Sequence, residues 1–255
     1  MNTNSNSYTI IYASVMVIIV AFLLAFVSST LKPMQDANVA IDKKSQILSS
    51  LNIRGLEKSE IESKYDAIIV SDPIIKADGT VVNEGAGKDE AAFALDSKDI
   101  TDENMPLYVA NVDGATKYVI PVTGRGLWGG LWGYIALDED CKTVFGAYMS
   151  HASETAGLGA LLVEPWFHDR FLGKKLFKDG GNEVALTVVK AGAVKEADFE
   201  VDGITGATLT TNGVAAMVKD GLQKYIGFIN TKTAAQQAAC KAPCCEEQAC
   251  EKTEE

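Results

Sequence analysis

Residues 202–226 read DGITGATLTTNGVAAMVKDGLQKYI. Val214, Val218, Leu222 and Tyr225 recur near helical spacing, which predicts a helix following a tight loop. Thr205 is expected to cap that helix, with Thr208 in its first turn. Gly206 and Ala207 are small, so backbone N–H groups can come close to a bulky anion there. A helix N-terminus offers unpaired N–H donors and a partial positive charge, which suits a phosphate. The Thr208 hydroxyl is then well placed for attachment to phosphorus. The plainer alternative is an ordinary capped helix, where threonines are common.

The residues upstream read as strands. From about Pro106, LYVANV, the turn pair Asp113-Gly114 and KYVIPV predict a hairpin. WGYIALDEDCKTVFGAYM predicts a second, with an acidic turn at residues 138–140. EVALTVV, residues 183–189, predicts a further strand, and EPWFHDRFLG, residues 164–173, a short helix with Trp166, Phe167 and Leu172 facing inward. No repeat of fixed period is present. The expected fold class is α+β, with a mostly antiparallel sheet and flanking helices.

Residues 8–27 read YTIIYASVMVIIVAFLLAFV, without a charge. As a helix they span about 30 Å, the thickness of a bilayer's hydrocarbon core. The preceding MNTNSNS has no Lys or Arg, which argues against a cleaved signal peptide and for a retained anchor. Lys32, Lys43 and Lys44 all follow the span, which by charge alone leans toward a cytoplasmic domain; long domains escape that rule. Residues 36–51 predict an amphipathic helix contributing Val39, Ile47, Leu48 and Leu51, and Ser59-x-x-Glu62 a capping box opening a second helix.

With 34 acids against 23 bases the chain carries a formal charge of −11, which argues against a nucleic-acid binder needing a cationic footprint. Its two histidines leave little for a histidine-built metal site, and His151-x-x-Glu154 offers too few ligands; no metal site is expected. Four of the five cysteines (Cys240, Cys244, Cys245 and Cys250) sit in a tail without large apolar residues, where oxidisable thiols are expected over a metal cluster.

Asp202-x-x-Thr205-Gly206-Ala207-Thr208 resembles the flavinylation sequence of the FMN-binding domain family. In that family the last threonine forms a phosphoester with FMN, installed from FAD by a separate flavin transferase. The resemblance implies covalent FMN on Thr208, with Thr205, Gly206 and Ala207 around it. Glu154-Thr155-Ala156-Gly157-Leu158-Gly159 is similar to the family's Glu-Thr-Pro-Gly-Leu-Gly segment, which lies against the flavin, with Ala156 where proline is usual. Glu154, Thr155, Gly157, Leu158 and Gly159 are implied as cofactor contacts. Gly126-Leu127-Trp128, followed by Trp132-Gly133-Tyr134, resembles the Gly-Leu-Trp segment and implies Trp128 as a cover for the ring. Its alternative is core packing.

The resemblance extends over about residues 8–230. It implies a single-pass member of a six-subunit, sodium-pumping NADH:quinone oxidoreductase in the bacterial inner membrane. Such a member relays electrons through its FMN, with the flavin domain on the periplasmic side. The expected division is an N-terminal tail (1–7), a transmembrane helix (8–31), a membrane-proximal helical and connecting region (32–105), an FMN-binding domain (106–230) and a Cys-rich acidic tail (231–255). Partners would be the other subunits, the flavin transferase and the bilayer. No general acid, nucleophilic triad or nicotinamide-binding G-x-G-x-x-G is visible, so no catalytic residue is assigned and the chain is not expected to oxidise NADH alone. Three alternatives stay open: the corresponding component of a related ion-pumping ferredoxin:NAD oxidoreductase, a membrane-tethered scaffold, and a tail-centred metal binder.

Overall fold

The computed structural model describes residues 6–85, 91–95, 99–178 and 181–240, with the backbone alone for 235–240. Cys244, Cys245 and Cys250 therefore lie outside the described residues. The chain divides into two compact units, residues 1–44 and 45–255.

The described part of the first unit is helix throughout, the beginning of α1 (Asn6–Ser50), which is long and apolar enough to cross a membrane. A separate amphipathic helix from residue 36 does not form, because α1 continues through Pro33. Proline removes one backbone hydrogen bond but its fixed φ is helical, so the chain need not turn there. Val39 is exposed, while Ile47, Leu48 and Leu51, in the second unit, are buried.

In the second unit α1 ends in a Schellman arrangement. Asn52 takes φ +63°, its N–H donates to Ser49 O at 3.1 Å, and Ile53 N–H reaches Leu48 O at 3.0 Å. The Asn52 side chain donates to Phe145 O at 2.8 Å. Helix α2 (Lys58–Ile68) buries Ile61 and Tyr65. It opens one residue before Ser59 with no side-chain cap, so the expected capping box is not made.

The main sheet has five antiparallel strands: β1 (Ile69–Ser71), β5 (Tyr108–Val112), β6 (Ala115–Arg125), β7 (Gly130–Leu137) and β8 (Val144–His151), side by side in that order. β5 and β6 turn at Asp113 and Gly114, both at positive φ (53° and 84°), as a two-residue hairpin turn requires. A small sheet joins β2 (Ile74–Ile75), β3 (Val81–Asn83) and β4 (Met105–Pro106). These two- and three-residue strands are too short for periodicity to show.

Helix α4 (Thr208–Lys224) lies over β6, burying Val214, Met217, Val218 and Leu222 together with Ile120, Val122 and Ile135. The contact is close: a Cβ on Gly213 would stand 2.5 Å from Arg125 O, and one on Gly221 2.6 Å from Val122 Cγ1. Tyr225 is buried and its hydroxyl donates to Pro106 O at 2.7 Å, tying the end of α4 to β4. α5 (Ile226–Cys240) follows.

Two local expectations are corrected. Only Thr187–Val189 of the 183–189 stretch is a strand, β9, because its partner β10 (Glu200–Asp202) runs parallel to it over just three residues. In residues 164–173 the helix α3 (Pro165–His168) passes into a 3-10 turn, Asp169–Phe171. That tighter winding buries Phe167 and Phe171 and leaves Trp166 and Leu172 exposed.

Candidate functional site

The strand β10 delivers the chain to the start of α4. Ala207 N–H donates to Ile204 O at 3.1 Å, closing a turn in which Gly206 takes φ +79°. A Cβ at Gly206 would stand 2.9 Å from Leu158 Cδ2, so glycine serves both the turn and the approach of the neighbouring loop. Thr208 is the first helical residue, but Thr205 is not the cap; Ala207 holds that position, without a side-chain bond. The Ile204–Ala207 turn places Thr205 too early in the chain to cap.

The first bond of α4 runs from Thr211 N–H to Ala207 O at 2.9 Å. The N–H groups of Thr208, Leu209 and Thr210 therefore have no acceptor within the helix. The four threonine hydroxyls in this segment differ. Thr205 and Thr208 are exposed, whereas Thr210 and Thr211 are buried and engaged. Thr211 Oγ1 accepts from Ile204 N–H at 3.3 Å, and Thr210 Oγ1 donates to Glu154 Oε2 at 2.7 Å.

Glu154 gathers the three motif stretches. Its Oε1 accepts the Trp128 N–H at 3.1 Å while Oε2 holds Thr210, so residues 126–128, 154–159 and 208–210 converge on one carboxylate. Its own N–H donates to His151 Nδ1 at 3.2 Å, so the H-x-x-E pair closes a turn. Among the described residues there is no group of three or more potential metal ligands. Thr155 is exposed, and its carbonyl takes the N–H groups of Leu158 and Ala160, both at 3.1 Å. Gly157 turns the loop at φ +74°, and Gly159 is buried, opening a 3-10 turn (Gly159–Val163).

A cleft of about 170 Å³ opens beside Thr208, bounded by Leu127, Thr155, Leu158, Gly159, Gly206 and Leu209 among others. Trp128 is 70% exposed and Leu127, Leu158 and Leu209 are exposed as well, so core packing does not account for this tryptophan. Trp132 is half-buried, and its Nε1 donates to Gln46 Oε1 at 3.1 Å. Two larger cavities, of about 540 and 480 Å³, include no residue of the three motif stretches.

The donor set suits a phosphate-bearing flavin. Free helix N–H groups stand next to an accessible hydroxyl, and apolar side chains are left uncovered around them, which a flat aromatic ring can cover. The cleft is smaller than a whole FMN, so only part of the molecule fits within it.

Sequence reasoning missed three supporting residues. Thr210 lies two places past Thr208, but its bond to Glu154 bridges distant segments that no local pattern reveals. Arg170 Nη1 donates to the carbonyls of Asp202 (2.8 Å) and Gly203 (2.9 Å), bracing the strand ahead of the motif. His168 is buried, with Nε2 lying 3.0 Å from Met149 N and 2.9 Å from Leu162 O, at the two roots of the Glu154 loop. Burial pushes its imidazole below the ordinary histidine value.

Comparison with known proteins accords with this geometry. A family model described as an FMN-binding domain matches residues 126–223. NqrC of the Na(+)-translocating NADH-quinone reductase from Haemophilus ducreyi is 33% identical over 229 residues, covering 84% of this chain and 88% of that protein. Its namesake from Vibrio vulnificus is 33% identical over 199 residues, covering 72% and 78%. The crystal structure of the same component from Parabacteroides distasonis superposes with a TM-score of 0.71 at 40% identity, covering 78% of this chain and 96% of that one. NqrC from Shewanella oneidensis, at 23% identity and a TM-score of 0.65, shares the fold over 78% of this chain and 99% of its own.

Proposed function

This chain belongs to the NqrC family of the Na(+)-translocating NADH-quinone reductase, and from that premise we propose that it carries FMN as a phosphoester on Thr208 and relays electrons within that complex. Family membership makes it one component of an oxidoreductase assembled with other subunits, and the matched FMN-binding domain makes FMN its cofactor. The covalent link and the relay are our reading.

The observation that carries it is the contrast among hydroxyls. Thr208 is exposed at the first position of α4, whereas Thr210 and Thr211 are buried and already bonded. Thr205, the other exposed one, sits ahead of the helix, away from its free N–H groups. Attachment uses FAD and a separate flavin transferase. The Thr208 oxygen would be joined to the FMN phosphorus of FAD as the pyrophosphate P–O bond breaks, with AMP leaving and carrying away the charge as the hydroxyl proton is released.

Bound FMN supplies reversible electron transfer. The chain's own residues hold and shield it. Free N–H groups at the start of α4 face the phosphate, Gly206 and Gly159 keep backbone close, and Trp128, Leu127, Leu158 and Leu209 exclude water. Thr155 and Gly157 shape the loop on the other side. In this reading residues 8–31 anchor the chain in the bilayer and residues 106–230 form the flavin domain, with β1 adding its edge strand. The flavin domain lies on the periplasmic side, in a complex of six subunits.

The test is peptide mass analysis of the full chain co-expressed with a flavin transferase. The peptide containing Thr208 is expected to gain the mass of FMN less one water, and Thr208→Ala to lose it. A wild-type peptide of encoded mass overturns the reading.

A further inference from the structure

The Glu154 carboxylate does more than fill a loop. Each of its oxygens takes one donor, from two segments far apart in sequence: the Trp128 amide and the Thr210 hydroxyl. Space is cleared for it. A Cβ on Gly126 would stand 2.3 Å from Oε1, and one on Gly159 2.7 Å from Oε2 and 2.5 Å from Thr210 Oγ1. Thr210 is 2% exposed, so its hydroxyl reaches no solvent in exchange for that bond. A carboxylate near the first turn of a helix is also favoured by the helix's positive end.

We propose that Thr210 is a positioning residue for the flavin: by donating a hydrogen bond from its hydroxyl to Glu154 it locks the Gly126–Trp128 loop and the Glu154–Gly159 loop onto the first turn of α4, so the receiving cleft is assembled before the cofactor arrives. The proposal rests on the reading that FMN is carried at Thr208. Thr210 also lines the cleft, but its buried hydroxyl is bonded to Glu154, and it acts through that acid. Its proton is committed to the acid, so it does not compete with Thr208 for the phosphate.

The arrangement makes a graded demand. Serine keeps the donor and loses a methyl group; valine keeps the shape and loses the donor, leaving one carboxylate oxygen of a half-buried acid unserved. Hydrogen bonds to charged groups are stronger than neutral ones, so the valine variant should lose about tenfold or more in the rate at which flavin is taken up.

The experiment follows FMN mass on the Thr208 peptide over time in the full chain co-expressed with a flavin transferase. It compares wild type with Thr210→Val, Thr210→Ser, Glu154→Leu and the Thr210→Val/Glu154→Leu double variant, and measures the FMN midpoint potential of each modified protein. Thr210→Val is expected to slow uptake about tenfold or more and to move the potential, with Thr210→Ser within about twofold of wild type. The double variant is expected to be no slower than Glu154→Leu, since the two residues act as one unit. Should Thr210→Val fail to fold, Thr210→Ala, which also removes the donor, is compared with Thr210→Ser by hydrogen exchange at the Trp128 amide: protection is expected to fall in the first and persist in the second. Uptake and potential of Thr210→Val equal to wild type, valine and serine equally slow, or equal Trp128 protection in both reserve variants overturns the proposal. A wild-type Thr208 peptide without FMN overturns the attachment itself, and this proposal with it.

Discussion

Arg170 holds Asp202 through two different groups: its Nη1 donates to the Asp202 carbonyl at 2.8 Å and lies 3.7 Å from the Asp202 carboxylate. The guanidinium also stacks on the exposed Trp166 ring, 4.6 Å from its centre. Asp202 in turn accepts the Gly192 N–H at 2.7 Å through Oδ1. The first residue of the flavinylation pattern thus fixes the approach of the chain to Thr208 and takes no part in the cleft itself.

Arg170→Met keeps the apolar stem over Trp166 and removes every donor. It is expected to lower stability by about 1–3 kcal/mol and to reduce FMN uptake at Thr208, because the Asp202 and Gly203 carbonyls lose their partner. Denaturant melts and the peptide mass assay check both; unchanged uptake would show that the strand holds its place unaided.

Gly126→Ala and Gly159→Ala each put a methyl group where the Glu154–Thr210 pair now sits. Overpacking of this kind costs about 1–3 kcal/mol. Both variants are expected to take up less flavin, whereas Gly157→Ala, whose added Cβ would meet nothing within 4 Å, carries only the strain of its positive φ. Comparing the three uptake rates separates crowding of the acid from strain in the loop.

Trp128→Ala removes a side chain that is 70% exposed. The fold should lose no more than about 0.5 kcal/mol. Bound flavin, however, would lose a cover against water, so its emission and visible band are expected to shift toward those of free FMN. A spectrum identical to wild type places the ring elsewhere.

His168 gives a pH dependence whose sign follows from its burial. Its folded value lies below the ordinary 6.5, so between the two the unfolded chain binds more protons than the folded one. Stability from this residue is full above about pH 6.5, falls as the pH drops toward the lowered folded value, and levels off beneath it. The slope is at most about 1.4 kcal/mol per pH unit for one proton. Melting temperatures measured across that range should show the step in wild type and lack it in His168→Gln.

Much of this was legible from local chemistry. Asp113-Gly114 announced a hairpin because only a turn with two positive φ values suits that connection, and the buried face of α4 was written in Val214, Val218, Leu222 and Tyr225. The three motif stretches could each be picked out in the sequence by themselves. Their meeting at Glu154 could not, since a bond between residues 154 and 210 depends on how α4 seats on the sheet over β6. The strand at 183–189 was overextended for a related reason: parallel pairing with β10 sets its length, and local alternation cannot see a distant partner. Trp166 and Leu172 looked like core residues by hydrophobicity, but a 3-10 turn rotates Phe171 inward in place of Leu172.

The seating of α4 on β6 has one more consequence. With Gly213 and Gly221 leaving no room for even a methyl group against Arg125 and Val122, the helix has no cushion on which to rock. Electron tunnelling falls off exponentially with gap, so a carrier mounted on a swaying support would hop at widely scattered rates. On the function proposed above, one fastened at residue 208 would instead keep a nearly constant gap to whatever docks opposite, because two absent side chains let its helix rest directly on the strand.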